Sequence, residues 1–125
     1  MFYLSLVALG GALGSVLRYC VTRMSVTMFG AGFPWGTVIV NLVGSLLIGL
    51  LTALIINKAD NPEPLRLLLI TGFLGGFTTF SAFSLDVLDL IARGAHLQAA
   101  SYVLISVLPA IFATFLGLAI GRSLL

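Results

Sequence analysis

Four long stretches of this sequence carry no charged side chain: Met1 to Leu17, Met24 to Asn57, Leu67 to Leu85 and Leu97 to Gly121. Each can supply the roughly 20 apolar residues that a helix needs to cross the hydrocarbon core of a bilayer. Of the 125 residues, 60% are hydrophobic and only 8% are charged. A water-soluble domain draws about a quarter of its residues from the charged types, so this chain is expected to lie in a membrane. The pattern predicts an all-α integral membrane protein with four transmembrane helices, at about 3–22, 36–56, 65–92 and 97–121. Residues 1–125 are read as a single membrane domain, with no room for a second. The first stretch does not read as a cleaved signal peptide. No basic segment precedes it, and Arg18 stands where a small-residue cleavage site is expected.

Orientation is normally set by an excess of Lys and Arg in the cytoplasmic loops. With four spans, Lys58, Arg66 and Arg122 fall on one side, and Arg18, Arg23 and Arg93 on the other. Three against three gives no bias. Two readings stay open here: an accidental balance in a small sample, or a chain that inserts both ways and pairs with an inverted copy as a two-fold dimer. Gly10 with Gly14, Gly72 with Gly76, and Gly117 with Gly121 are spaced to let helix backbones approach closely. Tyr3, Tyr19 and Trp35 fall near span ends, where amphipathic rings settle. Pro62 and Pro64 in "KADNPEPLR" mark a polar turn between the second and third spans.

The third span contains "TGFLGGFTTFSAFSLD", Thr71 to Asp86. Two adjacent glycines weaken a helix by about 1 kcal/mol each relative to alanine, and two threonines follow almost at once. One reading is a straight helix whose Thr and Ser hydroxyls bond back to the preceding turn. The reading preferred here is a helix broken near 75–79, because irregular backbone at membrane depth survives where it is buried in protein or lines a polar cavity. Phe80 and Phe83 share a helix face, with Ser81 and Ser84 beside them in sequence. Aromatic ring edges carry partial positive charge, so a narrow pore lined by them suits an anion without any formal charge.

Other polar residues lie at membrane depth. Asn41 is inside the second span; its amide donates two hydrogen bonds and suits interhelical glue, a common use of buried Asn in membrane bundles. Tyr102, Ser106 and Thr114 form a four-residue series in the last span, interrupted at Ala110. Arg18 either snorkels to the interface or lines a wet vestibule that attracts anions.

No Asp, Glu or His falls in the interior of a span; Asp86 and Asp89 lie near the end of the third and His96 in the following turn. Proton-coupled carriers place such a group in the membrane. No nucleophile–base set or metal-ligand spacing points to catalysis, so the chain is not read as an enzyme. The single cysteine, Cys20, excludes an intrachain disulfide and reads as a small apolar residue. A net charge of +2 spread along the chain does not suggest nucleic acid.

"GGALGSVLRY" (10–19), "GTVIVNLVGS" (36–45) and "GFLGGFTTFSAFS" (72–84) resemble the three signatures of the Fluc (CrcB) fluoride channels, and the resemblance covers the whole chain. It implies an antiparallel, dual-topology homodimer in the bacterial inner membrane, with lipid around it and two separate fluoride pathways. It implies passive export of fluoride that entered as neutral HF and dissociated inside. Phe80 and Phe83 resemble the family's pore-lining phenylalanine box, with Ser81 beside it, and Asn41 its pore amide. Arg18 resembles its vestibule arginine, and Tyr102, Ser106 and Thr114 its polar track. Gly75 and Thr78 resemble the break residues whose backbone carbonyls, from both subunits, hold a structural sodium ion. Three positions depart from the family pattern: Ala82 where Thr is usual, Ala110 where Ser is frequent, and Asp86 where Glu is usual. The alternatives are a small dual-topology multidrug transporter, which would need a membrane-embedded carboxylate, and a membrane helical subunit that transports nothing.

Overall fold

The computed structural model describes residues 1–58 and 60–125, apart from the side chain of Lys58. The expected polar turn is therefore described except at Ala59, and the charge counted at Lys58 lies outside the described side chains. The described elements are all helical: α1 (Phe2–Phe29), α2 (Trp35–Lys58), α3 (Pro62–Leu65), a π-helix (Arg66–Leu74), α4 (Gly75–Phe77), α5 (Phe80–Ala92) and α6 (His96–Ser123). Phe2–Phe29, Trp35–Asn57, Pro62–Ala92 and His96–Ser123 are each long and apolar enough to cross a membrane.

The first helix runs past the expected end near 22, to Phe29. Hydropathy marks where the lipid stops, whereas a helix stops where its backbone is turned. Nothing between Arg23 and Phe29 breaks it, and Thr27 bonds back to the Arg23 carbonyl at 3.1 Å. Gly30 ends it, with φ of 81° and its N–H on the Val26 carbonyl. Such a left-handed residue after a helix is where glycine is favoured. Pro62 opens α3 at its first turn, a position where the missing N–H costs nothing. Gly94, with φ of 75°, turns the chain from α5 into α6.

In lipid there is no hydrophobic drive to press helices together, so close backbone packing must hold them. The glycines supply it. A Cβ on Gly10 would overlap the Leu68 carbonyl oxygen, and one on Gly14 would overlap that of Phe73. One on Gly76 would overlap the carbonyl of Gly11. These contacts ascend together along both elements, so α1 and the Arg66–Phe77 stretch run parallel. Gly49 meets the Thr114 carbonyl, Gly117 that of Leu46 and Gly121 that of Leu50, contacts that ascend together along both helices, so α2 and α6 also run parallel.

Two apolar clusters result. Val40, Leu74 and Phe77 form one, between α2 and the third span. Val38, Phe83, Leu90, Ala99 and Tyr102 form the other, where α5 meets α2 and α6. Between them lie Thr78 and Thr79, both extended, with φ and ψ of −85° and 158° for Thr78 and −154° and 121° for Thr79.

Candidate functional site

The Thr78–Thr79 segment leaves backbone groups that a continuous helix would have paired, and side chains take up the donors. In a helix, the Thr79 N–H would bond to the Gly75 carbonyl and the Ala82 N–H to that of Thr78. Instead the Thr79 N–H donates to Asn41 Oδ1 at 2.7 Å, and Asn41 Nδ2 donates to the Thr79 carbonyl at 2.9 Å. The Ala82 N–H donates to Thr79 Oγ1 at 3.1 Å, making Thr79 the N-cap of α5. Thr78 Oγ1 donates to the Leu74 carbonyl at 2.8 Å. Gly75 and Thr78 thus keep carbonyl oxygens without their usual helical donors. Neutral backbone oxygens are the ligands that hard cations take, so this pair fits a sodium ion. Among the described residues, no group of three or more His, Cys, Asp or Glu side chains is placed to hold a metal.

A groove of about 560 Å³ opens beside this segment. Asn41, Gly75, Thr78, Thr79, Phe80, Phe83 and Ser106 line it, with Gly44, Ser45, Thr71 and Ala110. None of its lining residues is charged. The rings of Phe80 and Phe83 stand 5.5 Å apart, tilted by 44°. Phe83 is 9% exposed and Phe80 77% exposed, so one ring is set in the wall and the other stands free at the mouth. Phe83 also meets the Tyr102 ring at 5.3 Å.

The remaining expected residues lie outside that groove. Ser81 is exposed, its hydroxyl 3.3 Å from Thr79 Oγ1. Tyr102 is fully buried and donates to Asp86 Oδ2 at 2.9 Å. Thr114 bonds back to the Ala110 carbonyl at 3.1 Å, with its own carbonyl against Gly49. Of the series on α6, the groove therefore receives Ser106 alone. The Ser106 hydroxyl is buried and finds no hydrogen-bond partner among the described residues. Pro109 lies within α6 and has no N–H to give the Ile105 carbonyl.

Arg18 lies well inside α1, and its Nε is buried without a hydrogen-bond partner among the described residues. It lines a cavity of about 380 Å³ with Ser15, Tyr19, Thr22, Thr37, Thr79, Ala82 and Asp86. Thr79 belongs to the walls of both this cavity and the groove. A third cavity, of about 190 Å³, shares Thr22, Thr37 and Asp86 with it and reaches Asp89 and Arg93. Arg93 and Asp89 form an exposed ion pair there at 2.9 Å. The three spaces thus share wall residues in succession: Thr22, Thr37 and Asp86 between the Asp89–Arg93 cavity and the Arg18 cavity, and Thr79 between that cavity and the groove.

Asp86, Thr37 and Thr79 were not singled out by the sequence reading as site residues. Asp86 accepts from Thr37 Oγ1 at 2.8 Å as well as from Tyr102. A signal existed: positions 79, 82 and 86 recur at the spacing of one helix face, and that face meets Arg18 in the cavity.

Residues 5–118 match the family model described as CrcB-like protein, Camphor Resistance (CrcB). The chain is 52% identical over 124 residues, 99% of each chain, to a protein of Agrobacterium fabrum named "Fluoride-specific ion channel FluC". A protein of the same name from Rhizobium johnstonii is 53% identical over 119 residues, 95% of each chain. One from Chelativorans sp. is 49% identical over 125 residues, the full length of both. Matched along nearly its whole length by both the family model and these relatives, the chain belongs to the CrcB (Fluc) family.

Proposed function

We propose that this chain is a fluoride-selective passive channel that lets cytoplasmic fluoride leave across the bacterial inner membrane. The observation that carries this reading is the full-length kinship to proteins named for fluoride-specific conduction. The geometry suits it. Fluoride is small and strongly hydrated, so a pore must replace its water shell with donors while staying too narrow for larger anions. The groove offers an amide, hydroxyls and ring edges, with no charged side chain in its wall. Several weak neutral sites let an ion enter and leave again. In this reading Asn41, Phe80, Phe83 and Ser106 line the route, Ser81, Tyr102 and Thr114 stand outside its wall within one chain, and Arg18 draws anions into the vestibule before it.

The channel works as an antiparallel homodimer with one pathway on each side. Two observations favour this. The Lys and Arg balance gives no preferred orientation. The groove also opens extended backbone and a free Phe80 ring on an outer face, where unpaired carbonyls facing lipid would cost several kcal/mol each. A second copy laid over that face removes the penalty. The carbonyls of Gly75 and Thr78 from both copies would then hold a sodium ion, whose positive charge offsets the converging carbonyl dipoles. The third span, in this reading, is a helix broken at the dimer centre.

The test is fluoride efflux from potassium-loaded liposomes with valinomycin, followed by a fluoride electrode beside a chloride control. Rapid fluoride loss with chloride retained is expected. Loss of both ions, or of neither while Ala82→Thr and Ala110→Ser variants also fail, would overturn the assignment.

A further inference from the structure

Asn41 faces the groove, yet both ends of its amide are committed to the Thr79 peptide, at 2.7 and 2.9 Å. The contact joins residues 38 apart in sequence, from α2 to the start of α5. Oδ1 holds the very N–H that a continuous helix would give to Gly75. Without that acceptor, the Thr79 N–H would find the Gly75 carbonyl only by winding the extended Thr78–Thr79 segment back into the helix. The cost of leaving a buried amide unpaired favours that rewinding. Capturing the Thr79 N–H therefore keeps the Gly75 oxygen open. Meanwhile the Asn41 Nδ2 group has a second hydrogen that the Thr79 carbonyl does not use. The clamp fixes the plane of the amide and so the direction of that hydrogen.

We infer that Asn41 is the positioning residue of the backbone cation site, so that one side chain serves two ions. Its oxygen keeps a carbonyl free for sodium, while its remaining N–H is held ready for an anion in the groove. This rests on the sodium reading above. Because a coupling between two sites acts equally in both directions, occupancy of the carbonyl site in turn steadies the amide in its donor pose. The arrangement separates two properties of residue 41. An acceptor oxygen is what sodium requires, and a free N–H is what the anion requires.

Equilibrium dialysis of the purified, assembled protein against radiosodium, at constant ionic strength, tests the inference. Wild type is expected to retain sodium. Asn41→Asp keeps an oxygen for the Thr79 N–H and is expected to hold sodium within about twofold of wild type, while losing fluoride efflux with its amide hydrogen. Asn41→Leu, of similar size but with no acceptor, is expected to need about tenfold more sodium for half-saturation, the equivalent of about 1.4 kcal/mol. Should Asn41→Leu fail to fold, Asn41→Ser, too short to reach the Thr79 peptide, is read in the same way. Leu90→Ala, at a fully buried position in the other cluster, lowers the melting temperature and leaves sodium half-saturation unchanged. Unaltered sodium binding in Asn41→Leu or Asn41→Ser would overturn the coupling alone. A wild type that retains no radiosodium would overturn the cation reading and the coupling with it.

Discussion

The Tyr102 hydroxyl donates to Asp86 Oδ2 at 2.9 Å, tying a buried ring near the start of α6 to the middle of α5. Thr37 donates to the same oxygen from α2, at 2.8 Å. One carboxylate oxygen thus gathers three helices at the boundary between two of the polar cavities. Hydrogen bonds to a charged acceptor contribute about 1.5–3 kcal/mol each. Tyr102→Phe and Thr37→Val are each expected to destabilise the protein by that amount. Because both donors share one acceptor, the double variant should depart from additivity. Thermal unfolding of the single and double variants in detergent measures this; strictly additive losses would mean that the two bonds act independently.

Close backbone contact between α1 and the third span depends on the absence of a side chain at Gly10 and Gly14. Gly14→Val would drive its Cβ into the Phe73 carbonyl, which cannot swing aside as a side chain does. Overpacking of this kind costs about 1–3 kcal/mol and sometimes more. Gly11→Ala is the control, since a Cβ there makes only ordinary van der Waals contact with the Gly72 carbonyl at 3.9 Å. A large drop in melting temperature for Gly14→Val with little change for Gly11→Ala is expected.

If ring edges at the groove stabilise the anion, replacing an aromatic ring by a branched aliphatic group removes the partial positive charge while keeping bulk. Phe83→Ile and Phe80→Ile are each expected to slow fluoride efflux by at least about tenfold, a barrier increase of about 1.4 kcal/mol. Phe80 makes the cleaner test, since at 77% exposure within one chain its replacement leaves the chain's own packing intact. Unchanged efflux in both variants would remove the phenylalanines from the pathway.

Arg18 acts, in the proposed function, by its charge rather than by a fixed bond, as its Nε has no partner among the described residues. Arg18→Gln should lower fluoride efflux by about threefold at low ionic strength. The deficit should narrow at high salt, because screening weakens attraction beyond about a Debye length. Equal loss at every ionic strength would indicate a structural role.

Ala110 lies in the groove wall four residues after Ser106 and beside the carbonyl-freeing Pro109. A hydroxyl there adds a donor worth about 0.5–1.5 kcal/mol. Ala110→Ser is expected to raise efflux about threefold, measured in the same liposomes. No gain would mean that the missing hydroxyl does not limit permeation.

Much of this protein was legible from the order of its residues. A bilayer accepts only apolar stretches long enough to cross it, so charge-free runs located the four spans without any knowledge of packing. The Gly75–Phe83 stretch stands out in the sequence as a candidate site, as glycines, hydroxyls and aromatics rarely share a span centre for packing alone, and its role belongs to the proposed function. The end of α1 was not legible. Apolar length predicted an end near 22, while the helix continues until Gly30 turns the backbone.

What only the tertiary structure decided is who meets whom across helices. Asn41 reads in sequence as interhelical glue, or by resemblance as a pore amide, with no partner named, and it clamps a peptide 38 residues away; Asp86 reads as an end-of-span charge, yet it anchors Thr37, 49 residues away. Hydropathy records how deep a residue lies, but rotation about each helix axis decides which neighbour it faces. That rotation is set here by glycine contacts between backbones, whose four-residue spacing shows in the sequence but not which helix each glycine meets. The same packing sends Ser106 into the groove and turns Thr114 back on its own helix, although the two belong to one four-residue series.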